Sequence, residues 1–162
     1  ESKIMKKILS ILALVSALAL SACNSATQES PEQLSIQAVY SIDSKITASS
    51  KSASEVVSKM QSVRLAGCPV DFTNAYKDYI RAWDKLVSLE KKMYGQNMKK
   101  ASSDLSSYIS DFNSASAVVA LKKEWPAFAS EIDSTTEAIT KAYANCISVG
   151  ARYNAVVKKD LF

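Results

Sequence analysis

Apolar residues recur at alternating spacings of three and four positions along most of the chain. The pattern is clear in four segments, which cover residues 31–65, 70–94, 97–119 and 126–158. Such spacing gathers apolar side chains on one side of an α-helix, where they can pack against neighbouring helices. No segment alternates apolar and polar residues with period two, as a half-buried strand does. The pattern therefore predicts an all-α fold, an antiparallel helical bundle of four main helices.

Residues that start or stop helices separate the four segments. Pro31 suits a first helical turn behind a capping Ser30. Gly67 suits the left-handed position that closes the first helix. Gly95-Gln96-Asn97 ends the second helix. Trp125-Pro126 marks a boundary before the fourth helix, because the residue before a proline disfavours helical geometry.

Three further features modify the simple bundle. The stretch 47–54 is rich in Ser and carries only small residues on its apolar side, so a kink or break in the first helix is plausible. Asn113-Ser114-Ala115-Ser116 weakens the third helix in the same way. Gly150 lies on the apolar stripe of the fourth helix, where the missing side chain would let another helix come close.

The amino-terminal part of the chain has the pattern of an export signal. Lys6 and Lys7 precede an apolar run from Ile8 to Leu20, which is followed by small residues. A basic start, an apolar core and a small-residue cleavage site are typical of a secretory signal peptide. The run is too short for a comfortable transmembrane helix, which needs about 20 residues. Residues 1–4 precede the expected start at Met5 and are excluded from fold reasoning.

The end of this leader, Leu20-Ser21-Ala22-Cys23, resembles the lipobox of bacterial lipoproteins. The resemblance covers the leader only. It implies cleavage before Cys23, diacylation of the Cys23 sulfur and usually a third acyl chain on the new amino terminus. By the same resemblance, Asn24 in place of Asp favours the periplasmic face of the outer membrane. The alternative is an ordinary secretory leader with an incidental cysteine.

These features predict the organisation of the chain. Residues 1–22 form a signal peptide, residues 23–30 a lipidated tether and residues 31–162 a helical bundle domain. Two or three acyl chains would hold the protein firmly, whereas one chain alone binds a membrane only marginally.

Composition excludes several classes of function. The chain carries a formal net charge of +4, and removal of residues 1–22 leaves +2, without the concentrated basic face that nucleic-acid binding requires. It contains no His, which is the commonest general base and metal ligand. No catalytic, metal-binding or nucleotide-binding motif is present, so we expect no enzyme activity and no cofactor.

Cys68 and Cys146 are the two cysteines that remain after Cys23, and in an oxidising compartment they favour one disulfide. A plain four-helix bundle would hold them roughly 30 Å apart, because Cys146 lies about 20 residues beyond the turn that shares an end with Cys68. A disulfide requires Cα atoms within about 7 Å. An additional reversal or a sideways segment between residues 113 and 126 would reconcile the two. The third helix is therefore predicted to be broken, which gives five or six helices in all. The alternative is two free, buried thiols.

Two clusters are candidate interaction sites. The first is an aromatic set on or beside the predicted core stripes, which could form a groove or a docking face: Tyr76, Tyr79, Trp83, Tyr108 and Tyr143. A core with tyrosine hydroxyls at its rim explains this set equally well. The second is a basic set around the predicted turn at residue 97, namely Lys91, Lys92, Lys99 and Lys100. In the simple bundle it lies near the anchor and could contact anionic headgroups, although a solvated helix end is the plainer interpretation.

The sequence thus predicts a non-enzymatic envelope lipoprotein that binds a protein partner or another envelope component. The alternative function is a small-ligand carrier with a pocket among Tyr76, Tyr108 and Tyr143.

Overall fold

A computed structural model describes residues 28–112 and 114–157, and these form a helical bundle without any strand. The predicted all-α fold is confirmed. The helices are α1 (Pro31–Ala48), α2 (Ala53–Gln61), α3 (Val70–Ser110), α4 (Ala115–Glu124) and α5 (Ala129–Ala151), with a short 3-10 turn at Pro126–Phe128. The predicted signal peptide, Cys23 and most of the tether lie outside the described residues.

The predicted first helix is two helices, and the break lies in the Ser-rich stretch. Ser30 caps α1, with its hydroxyl accepting a hydrogen bond from the Gln33 amide at 3.1 Å. Ser52 caps α2 in the same way, accepting from the Glu55 amide at 3.2 Å. Serine side chains compete for backbone hydrogen bonds and favour caps over helix interiors. The chain therefore reverses between Ala48 and Ala53, and α2 runs antiparallel to α3.

The long helix α3 folds back on itself at Asn97, which has φ −157° and ψ 94°. The Asn97 side chain accepts a hydrogen bond from the Lys100 amide at 3.0 Å and so caps the second half. The ring centroids of Trp83 and Phe112 lie 4.9 Å apart, whereas a straight helix would separate those positions by about 44 Å. The boundary predicted at Gly95-Gln96-Asn97 is confirmed, and α3 is a helical hairpin.

The predicted break in the third helix is also present. Helix α3 ends at Ser110 and α4 begins at Ala115, so that Glu124 at the end of α4 returns to Lys100, 2.9 Å away. The break predicted at Trp125-Pro126 separates α4 from α5. Helix α5 ends at Ala151, seven residues earlier than the sequence suggested.

The bundle has two ends, which we call proximal and distal. At the proximal end, where α1 begins, Arg152 pairs with Asp71 at 2.8 Å and the Gln33 side chain donates to the Asn154 carbonyl at 3.0 Å. At the distal end, Lys92 pairs with Glu131 at 2.6 Å. Positions 71 and 92 are separated by roughly 30 Å along α3.

This arrangement corrects the predicted position of the basic cluster. The simple bundle placed Lys91, Lys92, Lys99 and Lys100 beside the start of the first helix, but the structure places them at the distal end. The break between α1 and α2 is the reason, because it adds one reversal. Consequently α3 begins, rather than ends, beside the start of α1.

Helices α1 and α5 come close together at Gly150, as the sequence predicted. Gly150 is buried, and a Cβ atom built on it would overlap the Tyr40 hydroxyl and lie 3.2 Å from Ile36 Cγ2. Gly67 has the expected left-handed φ of 89°, but it does not close a helix as predicted. Helix α2 ends at Gln61, and Gly67 lies in a turn of the connection to α3. Within the described ranges, no helix is both long enough and apolar enough to cross a membrane.

Candidate functional site

The predicted aromatic binding face is mostly core. Tyr76, Tyr79, Trp83 and Tyr108 are each no more than 6% exposed, whereas Tyr143 is partly buried. Tyr108 shares a hydrogen bond of 2.6 Å with Thr136. Because the apolar side of α3 faces α1, α2 and α5 at once, these rings pack against helices instead of forming a surface. Of the three residues of the predicted pocket, Tyr143 lines the cavity described below, whereas Tyr76 and Tyr108 are buried and are not part of its lining.

The basic cluster is divided between structural and exposed residues. Lys92 pairs with Glu131, and Lys100 pairs with both Asp104 (2.8 Å) and Glu124 while its ammonium lies 4.7 Å from the Trp125 ring centroid. Lys91 and Lys99 are exposed. Two of the four lysines therefore tie the distal turns together.

The structure contradicts the predicted disulfide, since Cys68 and Cys146 are both free thiols. Both lie near Tyr40, whose hydroxyl donates to the Cys146 carbonyl at 3.0 Å. Burial raises the pKa of Cys146 to about 12 and also raises the pKa of Cys68. A protonated thiol is a poor nucleophile, so burial makes this pair slow to enter thiol–disulfide exchange.

A cavity of about 80 Å³ lies between α1, α3 and α5. One water needs roughly 10–15 Å³ of such space, so the cavity can hold a group of several heavy atoms. Four aromatic side chains and one carboxylate line it: Tyr40, Asp43, Tyr79, Phe112 and Tyr143. The lining also includes exposed Ser110 and Thr140, which give the cavity an opening to solvent.

Asp43 is the charged group of this cavity. Its carboxylate accepts a hydrogen bond from the Tyr76 hydroxyl at 2.9 Å, and no lysine or arginine in the described part of the chain forms an ion pair with it. Burial raises the pKa of Asp43 to about 6, while the Tyr76 hydrogen bond acts in the opposite direction. The charged form of Asp43 therefore costs stability at neutral pH.

Replacing Asp43 with Asn is expected to stabilise the protein at neutral pH. A carboxyl whose folded pKa is raised loses stability as pH increases from its unfolded pKa to its folded pKa. For Asp43 that window runs from 3.8 to about 6. The asparagine side chain can still accept the hydrogen bond from Tyr76, but it never ionises. We therefore expect Asp43→Asn to raise the free energy of unfolding by about 1–3 kcal/mol at pH 7.5 and to change it little at pH 4.

Urea denaturation at the two pH values measures this effect. Asp84→Asn, at an exposed position of α3, is the matched control and should change stability equally at both. We expect the difference in the free energy of unfolding between Asp43→Asn and the native chain to be larger at pH 7.5 than at pH 4. An equal difference at both pH values would contradict the burial of this charge.

A second concave surface lies between α1 and α2 and has a volume of about 560 Å³. We call it the α1–α2 groove. Its apolar floor is Ile42, Ile46 and Val63, of which Ile42 is 47% exposed. Lys45 and Arg64 lie at its edge and have no ion pair within the described residues.

Lys59 closes one end of this groove and joins its two helices. It pairs with Glu55 of the same helix at 2.8 Å, and its ammonium also donates to the Ser49 carbonyl at the end of α1, again at 2.8 Å. This contact fixes the position of α2 relative to the end of α1 beside the groove.

Neither concave surface follows from the sequence pattern. The pattern places Ile42 on the packed stripe of the first helix, but the stripe that α1 buries contains Ile36, Val39, Tyr40 and Ile46. Asp43 lies three residues after Tyr40 and three before Ile46, so it falls on the same side of α1, where it is half-buried. An acidic residue in such a position was the available signal for the cavity.

Within the described residues, no group of three or more His, Cys, Asp or Glu side chains could hold a metal ion. No protein-family model, curated protein or solved structure matches this chain.

Proposed function

We propose that this protein is a lipid-anchored binding module of the bacterial outer membrane, an adaptor for a protein partner and not an enzyme. The anchor is proposed from the lipobox at Leu20-Ser21-Ala22-Cys23, which implies acyl chains on Cys23 and a periplasmic location. The observation that carries the binding role is the α1–α2 groove, because it combines exposed apolar surface with cations that lack a counter-charge among the described residues.

The chemistry of the groove selects one kind of partner. Ile42, Ile46 and Val63 offer an apolar floor between two helices, which suits the apolar side of an amphipathic helix. Lys45 and Arg64 favour acidic residues beside that apolar side. The partner is therefore an envelope protein with an exposed amphipathic segment of acidic character.

The position of the groove agrees with a membrane anchor at Cys23. Ile42 lies 11 residues beyond Pro31 in α1, or about 16 Å along the helix. Ser49, at the far end of the groove, lies about 27 Å along it. A tether attached to the start of α1 would thus leave the groove clear of the membrane and accessible from the periplasm.

Site-specific photocrosslinking in living cells tests the docking role. A photoreactive amino acid at Ile42 is expected to crosslink one partner, identified by mass spectrometry, whereas the same group at exposed Val119 of α4 should not. Lys45→Glu combined with Arg64→Glu should abolish the crosslink. A synthetic peptide of the crosslinked segment should bind the purified protein, more weakly at high salt because surface charges are screened.

Three results would overturn the adaptor proposal: equal crosslinking from positions 42 and 119, no effect of the double charge reversal, or a crosslinked segment without acidic residues. The anchor is tested separately by labelling with radioactive palmitate. Label should enter the native chain and be absent from Cys23→Ala, and its absence from both would overturn the lipidation.

A small-ligand carrier is the second candidate function, and the cavity beside Asp43 is the observation that favours it. The cavity is largely enclosed by aromatic rings and opens beside Ser110 and Thr140. Concave sites with mostly apolar walls and a few polar groups are the usual form of small-molecule sites.

A further inference from the structure

We infer that the cavity beside Asp43 binds the ammonium group of a small organic cation, such as a methylated amine. This inference rests on the carrier candidate and is independent of the α1–α2 groove. It names the class of ligand from the charge, the walls and the size of the cavity.

The charge of the cavity comes from a single carboxylate without a cationic partner. Asp43 accepts one hydrogen bond, from Tyr76, and no ion pair joins it to a lysine or arginine of the described chain. Asp43 is half-buried, and a carboxylate that is partly removed from water is usually paired, because loss of hydration is costly for a charge. A bound cation would supply the missing partner, and an anionic ligand would be repelled.

The walls of the cavity favour an organic cation. Four aromatic side chains line the cavity together with the carboxylate: Tyr40, Tyr79, Phe112 and Tyr143. The ring centroids of Tyr79 and Tyr143 lie 5.4 Å apart, and the two ring planes are at 45°. Aromatic faces carry partial negative charge and attract ammonium groups, most strongly where water is excluded. The Tyr40 hydroxyl already donates a hydrogen bond to the Cys146 carbonyl. Tyr40 therefore offers a ligand the face of its ring and not a free hydrogen-bond donor.

Inorganic cations fit the cavity less well. Calcium takes six to eight oxygen ligands and magnesium demands near-ideal octahedral geometry, but Asp43 is the one carboxylate that lines this space among the described residues. The volume of about 80 Å³ also exceeds what a single ion requires. A methylated ammonium group fills more of the space and contacts several rings at once.

Calorimetric titration of the purified full chain with tetramethylammonium and with choline tests the inference. The neutral isostere of choline, 3,3-dimethylbutan-1-ol, is the ligand control. We expect both cations to bind, Asp43→Asn to weaken their binding by at least about 10-fold, and Tyr143→Leu to weaken it by a similar factor. Asp84→Asn is the matched protein control and should leave the affinity unchanged.

The outcomes separate this inference from the carrier candidate on which it rests. Binding of the alcohol as tightly as choline, or binding of the cations equally by Asp43→Asn, would overturn the ammonium inference but leave a carrier of neutral molecules. No binding of either cation up to about 20 mM would overturn the ammonium inference, and it would leave the carrier candidate in place, because that candidate specifies no ligand class. Denaturation curves of each variant verify that it is folded.

Discussion

Gly150→Ala is expected to destabilise the protein by about 2–4 kcal/mol. The added Cβ would overlap the Tyr40 hydroxyl and press on Ile36, so α1 and α5 would have to separate or Tyr40 would have to leave its place. Either response breaks the hydrogen bond from Tyr40 to the Cys146 carbonyl and leaves that buried carbonyl with one partner fewer. Urea denaturation measures the change in the free energy of unfolding.

The same substitution at Gly95 is the control for this prediction. Gly95 lies in the helical element α3, and a Cβ atom added to it would meet no other atom within 4 Å. Alanine there should therefore be neutral or stabilising by up to about 1 kcal/mol. Equal effects of the two substitutions would mean that α1 and α5 do not meet at Gly150. Tyr40→Phe combined with Gly150→Ala should recover part of the loss, because the hydroxyl is the atom that the Cβ meets first.

Glu90→Ala is expected to lower the free energy of unfolding by about 2–4 kcal/mol, because the Glu90 carboxylate accepts hydrogen bonds from the first amides of α2. Glu90 is 3% exposed, and its two oxygens accept from the amides of Ala53 and Ser54 at 3.3 Å each. The Tyr94 hydroxyl donates to it at 3.0 Å. The helix dipole favours negative charge at a helix amino terminus. Removal of the Glu90 carboxylate would leave the two amides and the Tyr94 hydroxyl without this acceptor.

Two companion variants make the Glu90 prediction specific. Glu90→Gln retains an acceptor without the charge and should cost less than Glu90→Ala. Glu137→Ala, at an exposed position of α5, should change stability by no more than about 0.5 kcal/mol. Amide exchange should accelerate first in α2, and crosslinking from Ile42 should weaken, because α2 forms one side of the groove. Unchanged exchange in α2 would contradict the role given to Glu90.

Local sequence signals determined the secondary structure and most of its boundaries. Ser30 and Pro31 begin α1, Asn97 reverses α3 and Trp125-Pro126 separates α4 from α5. Gly67 takes the predicted left-handed φ, but in a turn between α2 and α3 and not at a helix end. These signals act within a few residues, through side-chain caps and restricted backbone angles, so the sequence reveals them directly. The spacing of apolar residues likewise predicted the helical class, and Gly150 predicted a close approach of helices.

The tertiary structure decided everything that depends on which helix side faces which neighbour. Ser-rich residues 47–54 permitted either a kink or a full reversal, and the reversal moved the basic cluster to the distal end. Periodicity placed Ile42 on the packed stripe of the first helix, but packing of α1 against its neighbours left Ile42 exposed and Asp43 half-buried. Burial of a helix side is a sum over contacts distant in sequence, so neither the cavity nor the groove could be derived from local pattern alone.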